Sequence, residues 1–201
     1  MALISIVGTS GVGKSFLVKQ LAALTQSPAF FEGEEGTIPA EIWDSIFDGS
    51  HPLKRWRWFM NRYKNNLERA AAICHNTKLD CFVDGAILSA QAILTYESDE
   101  HKAELTTLLK EYEYLHSDLI VLLTASKERL LEQIQSRSRD SEANAKAIDR
   151  ALKIQEAFQI LARQEKNVLL IDRSNLDFSN YDDVNNLWLQ IKEKLNILKT
   201  K

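Results

Sequence analysis

Gly8-Thr9-Ser10-Gly11-Val12-Gly13-Lys14-Ser15 sets three glycines, a lysine and a hydroxyl in one short stretch. A glycine-rich backbone can curl until its amide groups point at one spot, and the lysine and serine that follow add a positive charge and a metal-ligating oxygen. Such a group suits a polyphosphate. The amides and a helix N-terminus take the oxygens, Lys14 reaches the β and γ groups, and Ser15 ligates Mg²⁺. A chance glycine turn with a surface lysine is the bland alternative. Against it stands the context, a β-branched run before the loop and helical spacing after it, which is the setting that G-x-x-x-x-G-K-S requires. With Phe16 in the first turn of the helix, residues 8–16 form the candidate nucleotide-binding set.

Four other groups could do chemistry. Glu32 closes a weak strand at 28–32 and would face the glycine loop, although Glu34 and Glu35 follow closely and could equally be solvated loop charge. Asp84 ends an apolar strand, where a carboxylate either holds a metal's water shell or caps the helix that follows. Arg137 and Arg139 end a helix and precede Asp140 and Glu142. Paired arginines there fit a lid over a transferring phosphoryl group, at about residues 136–143, or simply a solvated helix end. Trp43, Trp56 and Trp58 could stack a flat base, but at helical spacing they read more readily as core or interface. His51, His75, His101 and His116 lack ligand spacing, and Cys74 and Cys81 read as buried thiols.

These groups need a scaffold. Leu3-Ile4-Ser5-Ile6-Val7 reads as a strand and residues 14–24 as a helix, with a further helix from about Pro39 and a long one over 53–74. Residues 80–84, 118–123 and 167–172 carry unbroken apolar runs inside polar ends, each between helical segments. Apolar strands alternating with helices specify a parallel sheet covered on both faces, here a three-layer α/β fold with five strands. A chain of 201 residues fits one domain, 1–201. With 25 Lys and Arg against 28 Asp and Glu, its net charge of −3 gives no field to hold nucleic acid nonspecifically. No apolar run approaches a membrane span and no cleavable leader is visible, so a cytoplasmic protein is expected.

Together the segments resemble the deoxynucleoside kinase family, especially its short bacterial deoxyadenosine/deoxyguanosine kinases, over nearly the full chain. Residues 4–17 look like its opening segment, and Phe30-Phe31-Glu32 like the strand end whose glutamate is base to the sugar hydroxyl. Arg137-Ser138-Arg139 with Glu142 resembles the lid, arginines on phosphate and glutamate on the 3′-hydroxyl. The resemblance implies a P-loop nucleotide-kinase fold, ATP as donor, Mg²⁺ held by Ser15 and Asp84, a nucleoside acceptor near Glu32, Arg55, Trp58, Asp84 and Glu142, and a homodimer packed through long helices. Departures fall on the acceptor base. Arg55 stands where the family has glutamine, Gly85 in place of an arginine, Ala90 in place of an aspartate, and Gln133 in place of a lid arginine. The expected activity is γ-phosphoryl transfer to a hydroxyl of a (deoxy)nucleoside, most readily the 5′-hydroxyl. A monophosphate or a hydroxyl on a modified base is the alternative acceptor, and a nucleotide-binding switch that transfers nothing is the alternative of another class.

Overall fold

The computed structural model describes residues 1–33, 38–48, 50–95, 99–112, 116–136 and 145–200. Its elements run β1 (Leu3–Gly8), α1 (Lys14–Thr25), β2 (Ala29–Phe30), α2 (Ala40–Asp48), α3 (Pro52–Thr77), β3 (Cys81–Asp84), α4 (Ile87–Leu94), α5 (Asp99–Lys110), β4 (Leu119–Thr124), α6 (Lys127–Ser136), α7 (Ala145–Ala162), β5 (Val168–Asp172) and α8 (Tyr181–Lys199). The five strands form one sheet in the order β2-β3-β1-β4-β5, every pair parallel. This is the three-layer α/β fold that the strand and helix pattern predicts, in the P-loop nucleotide-kinase architecture that the resemblance implies.

β1 is central and buried on both sides, which explains its unbroken apolar character. Ile4 and Ile6 face Leu17, Val18 and Leu21 of α1 and Leu187 and Ile191 of α8. Val7 faces the other way, onto Leu88 and Ala92 of α4 and Phe158 of α7. Leu3 and Val83 pack on Leu67 and Ala70 of α3. The strands' carboxyl ends therefore share one edge, where the loops after β1, β2, β3 and β4 converge.

Two expectations change. β2 has two residues rather than five, because it pairs only with β3, Ala29 beside Phe82 and Phe30 beside Val83. The aromatic side of α3 also finds cover within the chain: Trp56, Met60 and Tyr63 pack against Ile87 and Ala90 of α4 and Leu105, Leu108 and Leu109 of α5. That stripe does not by itself call for a second subunit. Cys74 and Cys81 are free and buried, as expected. No described helix is long and apolar enough to cross a membrane.

Phe82 is fully buried in β3 and meets Trp188 of α8 edge-on, centroids 5.9 Å apart. Phe82→Ala should cost about 3–5 kcal/mol. Leu189→Ser, on the exposed side of α8, should stay within about 0.5 kcal/mol of the parent. Urea unfolding of both variants measures the contrast.

Candidate functional site

Gly8 ends β1, and the chain turns through residues 9–13 into α1. Gly13, the residue capping α1, is left-handed with φ 94° and ψ 21°. A Cβ there would lie 2.0 Å from the Arg173 guanidinium, so only glycine lets the loop approach this closely. Arg173 follows β5. Its Nη1 donates to the Val12 carbonyl over 2.7 Å while the guanidinium lies 4.4 Å from the Phe178 ring centroid. The back of the loop is thus pinned by a buried cation from the far end of the chain. Helical periodicity could not reveal this partner; the only trace was an arginine directly after the last apolar run.

On the front of the loop, half-buried Lys14 donates from Nζ to the Thr9 carbonyl at 3.3 Å. Ser15 Oγ donates to Asp84 Oδ2 at 2.5 Å. Asp84 therefore does not cap the next helix, whose capping residue is Ala86 with no side-chain cap bond. A hydroxyl and a carboxylate side by side are hard oxygen donors, and Mg²⁺ usually takes one or two such protein oxygens and completes its shell with phosphate and water. The pair fits that ion, and no described group of three or more His, Cys, Asp or Glu offers a fuller metal cage. Phe16, in the first turn of α1, has an exposed side chain.

Glu32 lies two residues beyond β2, too far to be fixed by the sheet. α3 supplies the hold. Arg62 Nε donates to the carbonyls of Phe31 and Glu32 at 3.3 and 3.2 Å, Asn66 Nδ2 donates to Phe31 at 2.9 Å, and the Tyr63 hydroxyl donates to Glu32 Oε1 at 2.5 Å. Burial of the Glu32 carboxyl pushes its pKa up; the Asp84 charge adds to this, while Lys14 and the Tyr63 hydrogen bond pull it down. Burial and the neighbouring Glu32 hold the Tyr63 phenol well above its ordinary value. A carboxyl with a raised pKa, a lysine and a serine–carboxylate pair thus share one strand edge, a set of groups chemically able to bind phosphate and to accept a proton.

Arg55 is buried, and its Nη1 donates to the carbonyl of Ser45 and, at 3.3 Å, to the Ser45 hydroxyl, so α3 uses it to hold α2. Trp58 is half-buried and edge-on to Phe59, centroids 4.9 Å apart. Trp56 is core. Ala90 packs in the same cluster. Arg137, Arg139, Glu142, Glu34 and Glu35 lie outside the described residues. Tyr63 carried no sign of its role in the sequence, since at its helical spacing it reads as core. After β5 the loop is braced by Asp172, which accepts from the Ser174 amide at 2.9 Å and hydroxyl at 2.5 Å, while Ser174 Oγ accepts from the Ser126 amide at 2.9 Å.

Arg173→Met keeps apolar bulk against Phe178 and removes the donor to Val12. A charge-assisted bond of this kind contributes about 1.5–3 kcal/mol, so the variant should lose stability of that order and bind nucleotide more weakly. Urea unfolding and calorimetric titration with ATP test both; unchanged affinity would separate the clamp from the loop.

Among curated proteins none matches this sequence. Solved structures do share its fold. Deoxyadenosine kinase from M. mycoides, with products dCMP and a flexible dCDP bound, superposes with TM-score 0.73 at 15% identity over 95% of this chain and 99% of that one. The same kinase with bound dATP gives 0.73 at 14% identity, over 96% and 100%. Thymidylate kinase from Candida albicans gives 0.63 at 15% identity, over 97% and 92%. Residues 3–155 match the AAA-domain family, and with its glycine loop between β1 and α1 on a five-stranded parallel sheet the chain belongs to that family of P-loop proteins.

Proposed function

We propose that the protein is an ATP-dependent phosphotransferase that moves the γ-phosphoryl group to a hydroxyl of a (deoxy)nucleoside, most readily the 5′-hydroxyl. The observation that carries this reading is Glu32: a carboxyl with a raised pKa, held across the strand edge within the electrostatic field of Lys14 and Asp84. A nucleotide-binding switch has no use for a proton acceptor at that place. The shared fold with a deoxyadenosine kinase and a thymidylate kinase supports a nucleoside or nucleotide as acceptor.

The loop amides and Lys14 hold the β and γ phosphates of the donor. Ser15 and Asp84 would hold Mg²⁺, which when bound offsets phosphate charge. Glu32 accepts the proton of the acceptor hydroxyl as its oxygen bonds to the γ-phosphorus and the bond to the β–γ bridging oxygen breaks, leaving ADP. Arg137 and Arg139 are the candidate groups for the charge spread over the transferring oxygens, and Glu142 for the sugar 3′-hydroxyl. A homodimer and a cytoplasmic location complete the reading, and the dimer rests on the family resemblance.

ATP consumption against a panel of nucleosides and their monophosphates tests the acceptor class. Turnover with a deoxynucleoside supports the proposal, turnover confined to monophosphates shifts the acceptor, and none with any member removes the kinase reading. Lys14→Ala should lose several kcal/mol of transition-state stabilisation, of the order expected for a phosphate-clamping charge, with its melting temperature kept.

The pH profile follows from the direction of the Glu32 shift. A carboxyl whose pKa is raised becomes a competent base only as pH climbs through that raised value. Turnover should therefore fall on an acidic limb lying above the usual glutamate range. Glu32→Gln should lower kcat by roughly 10²- to 10⁴-fold and abolish the limb.

A further inference from the structure

The candidate base sits past the end of a two-residue strand, so its orientation depends on whatever grips it. Arg62 and Asn66 grip the backbone at Phe31 and Glu32. Only one described hydrogen bond reaches the carboxyl itself, from the Tyr63 hydroxyl to Oε1 at 2.5 Å. The phenol gets there because of Gly85. A Cβ on Gly85, whose φ is +93°, would stand 2.5 Å from Tyr63 Cε1, 3.1 Å from Cδ1 and 3.5 Å from Cζ. The ring therefore occupies the space that a side chain at position 85 would need. Met60 and Ala90 close in around it as neighbours in one buried cluster.

Resting on the reading of Glu32 as base, we propose that Tyr63 is its positioning residue, seated by the missing side chain of Gly85, and that this neutral donor aims the carboxyl at the acceptor hydroxyl. A phenol suits the task. Its single O–H donates along one direction from a ring that cannot rotate away in a packed core, and unlike a guanidinium it leaves the carboxylate with its charge uncancelled and its basicity largely intact. The charged groups facing Glu32 come from two other elements, Lys14 of α1 and Asp84 of β3, with Tyr63 supplied by α3. Tyr63 also faces the Ser89 hydroxyl of α4.

Removing the phenol hydroxyl takes away a bond that favours the ionised carboxyl, so the base should become harder to ionise as well as less well aimed. Tyr63→Phe keeps the ring and should fold. Its kcat should fall about 10- to 100-fold, the range expected for losing one hydrogen bond to a charged group, with the ATP KM within about twofold of the parent and the acidic limb of the pH profile moved to higher pH. Gly85→Ala keeps the hydroxyl and displaces the ring, and should give the same signature. The double variant should be no worse than the more damaged single one, because both act through one contact. Melting curves accompany each variant. Parent-like kcat and limb in Tyr63→Phe, with Glu32→Gln crippled, would overturn the role of Tyr63 alone. Full additivity of the two variants would detach Gly85 from it. A mild Glu32→Gln would overturn the base reading and this proposal with it.

Discussion

The pairing of β1 with β3 is the contact on which the site depends. Ile6 stands opposite Asp84, and the Gly85 amide donates to the Ile6 carbonyl at 2.9 Å, so β3 gives out just where β1 runs on into the glycine loop. That register brings the Asp84 carboxylate to the Ser15 hydroxyl at the first turn of α1. A slip of one residue would turn Asp84 to the opposite face of the sheet and leave its charge in an apolar layer. Register here is enforced from both sides, since every residue of β1 and β3 is buried.

Around this contact the charges are placed to oppose one another. Glu32 and Asp84 repel, and burial penalises the charge on Glu32 further; Lys14 and the Tyr63 hydroxyl relieve part of that cost. A site with two carboxyls and one described lysine carries a surplus of negative charge that a bound cation would relieve. Such local frustration costs stability in the absence of ligand and is returned when the ligand supplies the missing charge.

The loop is held by the two ends of the chain together. Val12 belongs to the first turn of the chain and Arg173 to its last strand connection, yet a 2.7 Å bond joins them across a sequence separation of 161 residues. Stacking on Phe178 keeps the guanidinium flat against the loop and shielded from water. Folding must therefore complete β5, at the far edge of the sheet, before the phosphate loop acquires its back support.

What the sequence determined by itself were features carried by local spacing. The glycine loop is a fixed local spacing, the strands are unbroken apolar runs and the long helix repeats a short period, and five parallel strands follow from their alternation with helices. Asp84 was legible because it ends an apolar run. Tertiary structure alone decided the rest. Tyr63 reads as one more core aromatic of α3 until Gly85 is seen to leave room for it and Glu32 to lie within reach. Arg55 reads as a cation beside an acceptor, and that it also bonds Ser45 of α2 only the fold shows. That Arg173 reaches the loop is seen only once β5 delivers it there. Hydrophobic period specifies which face a residue turns inward, a local quantity; which polar atom it then meets depends on elements far away in the chain, and no period records that.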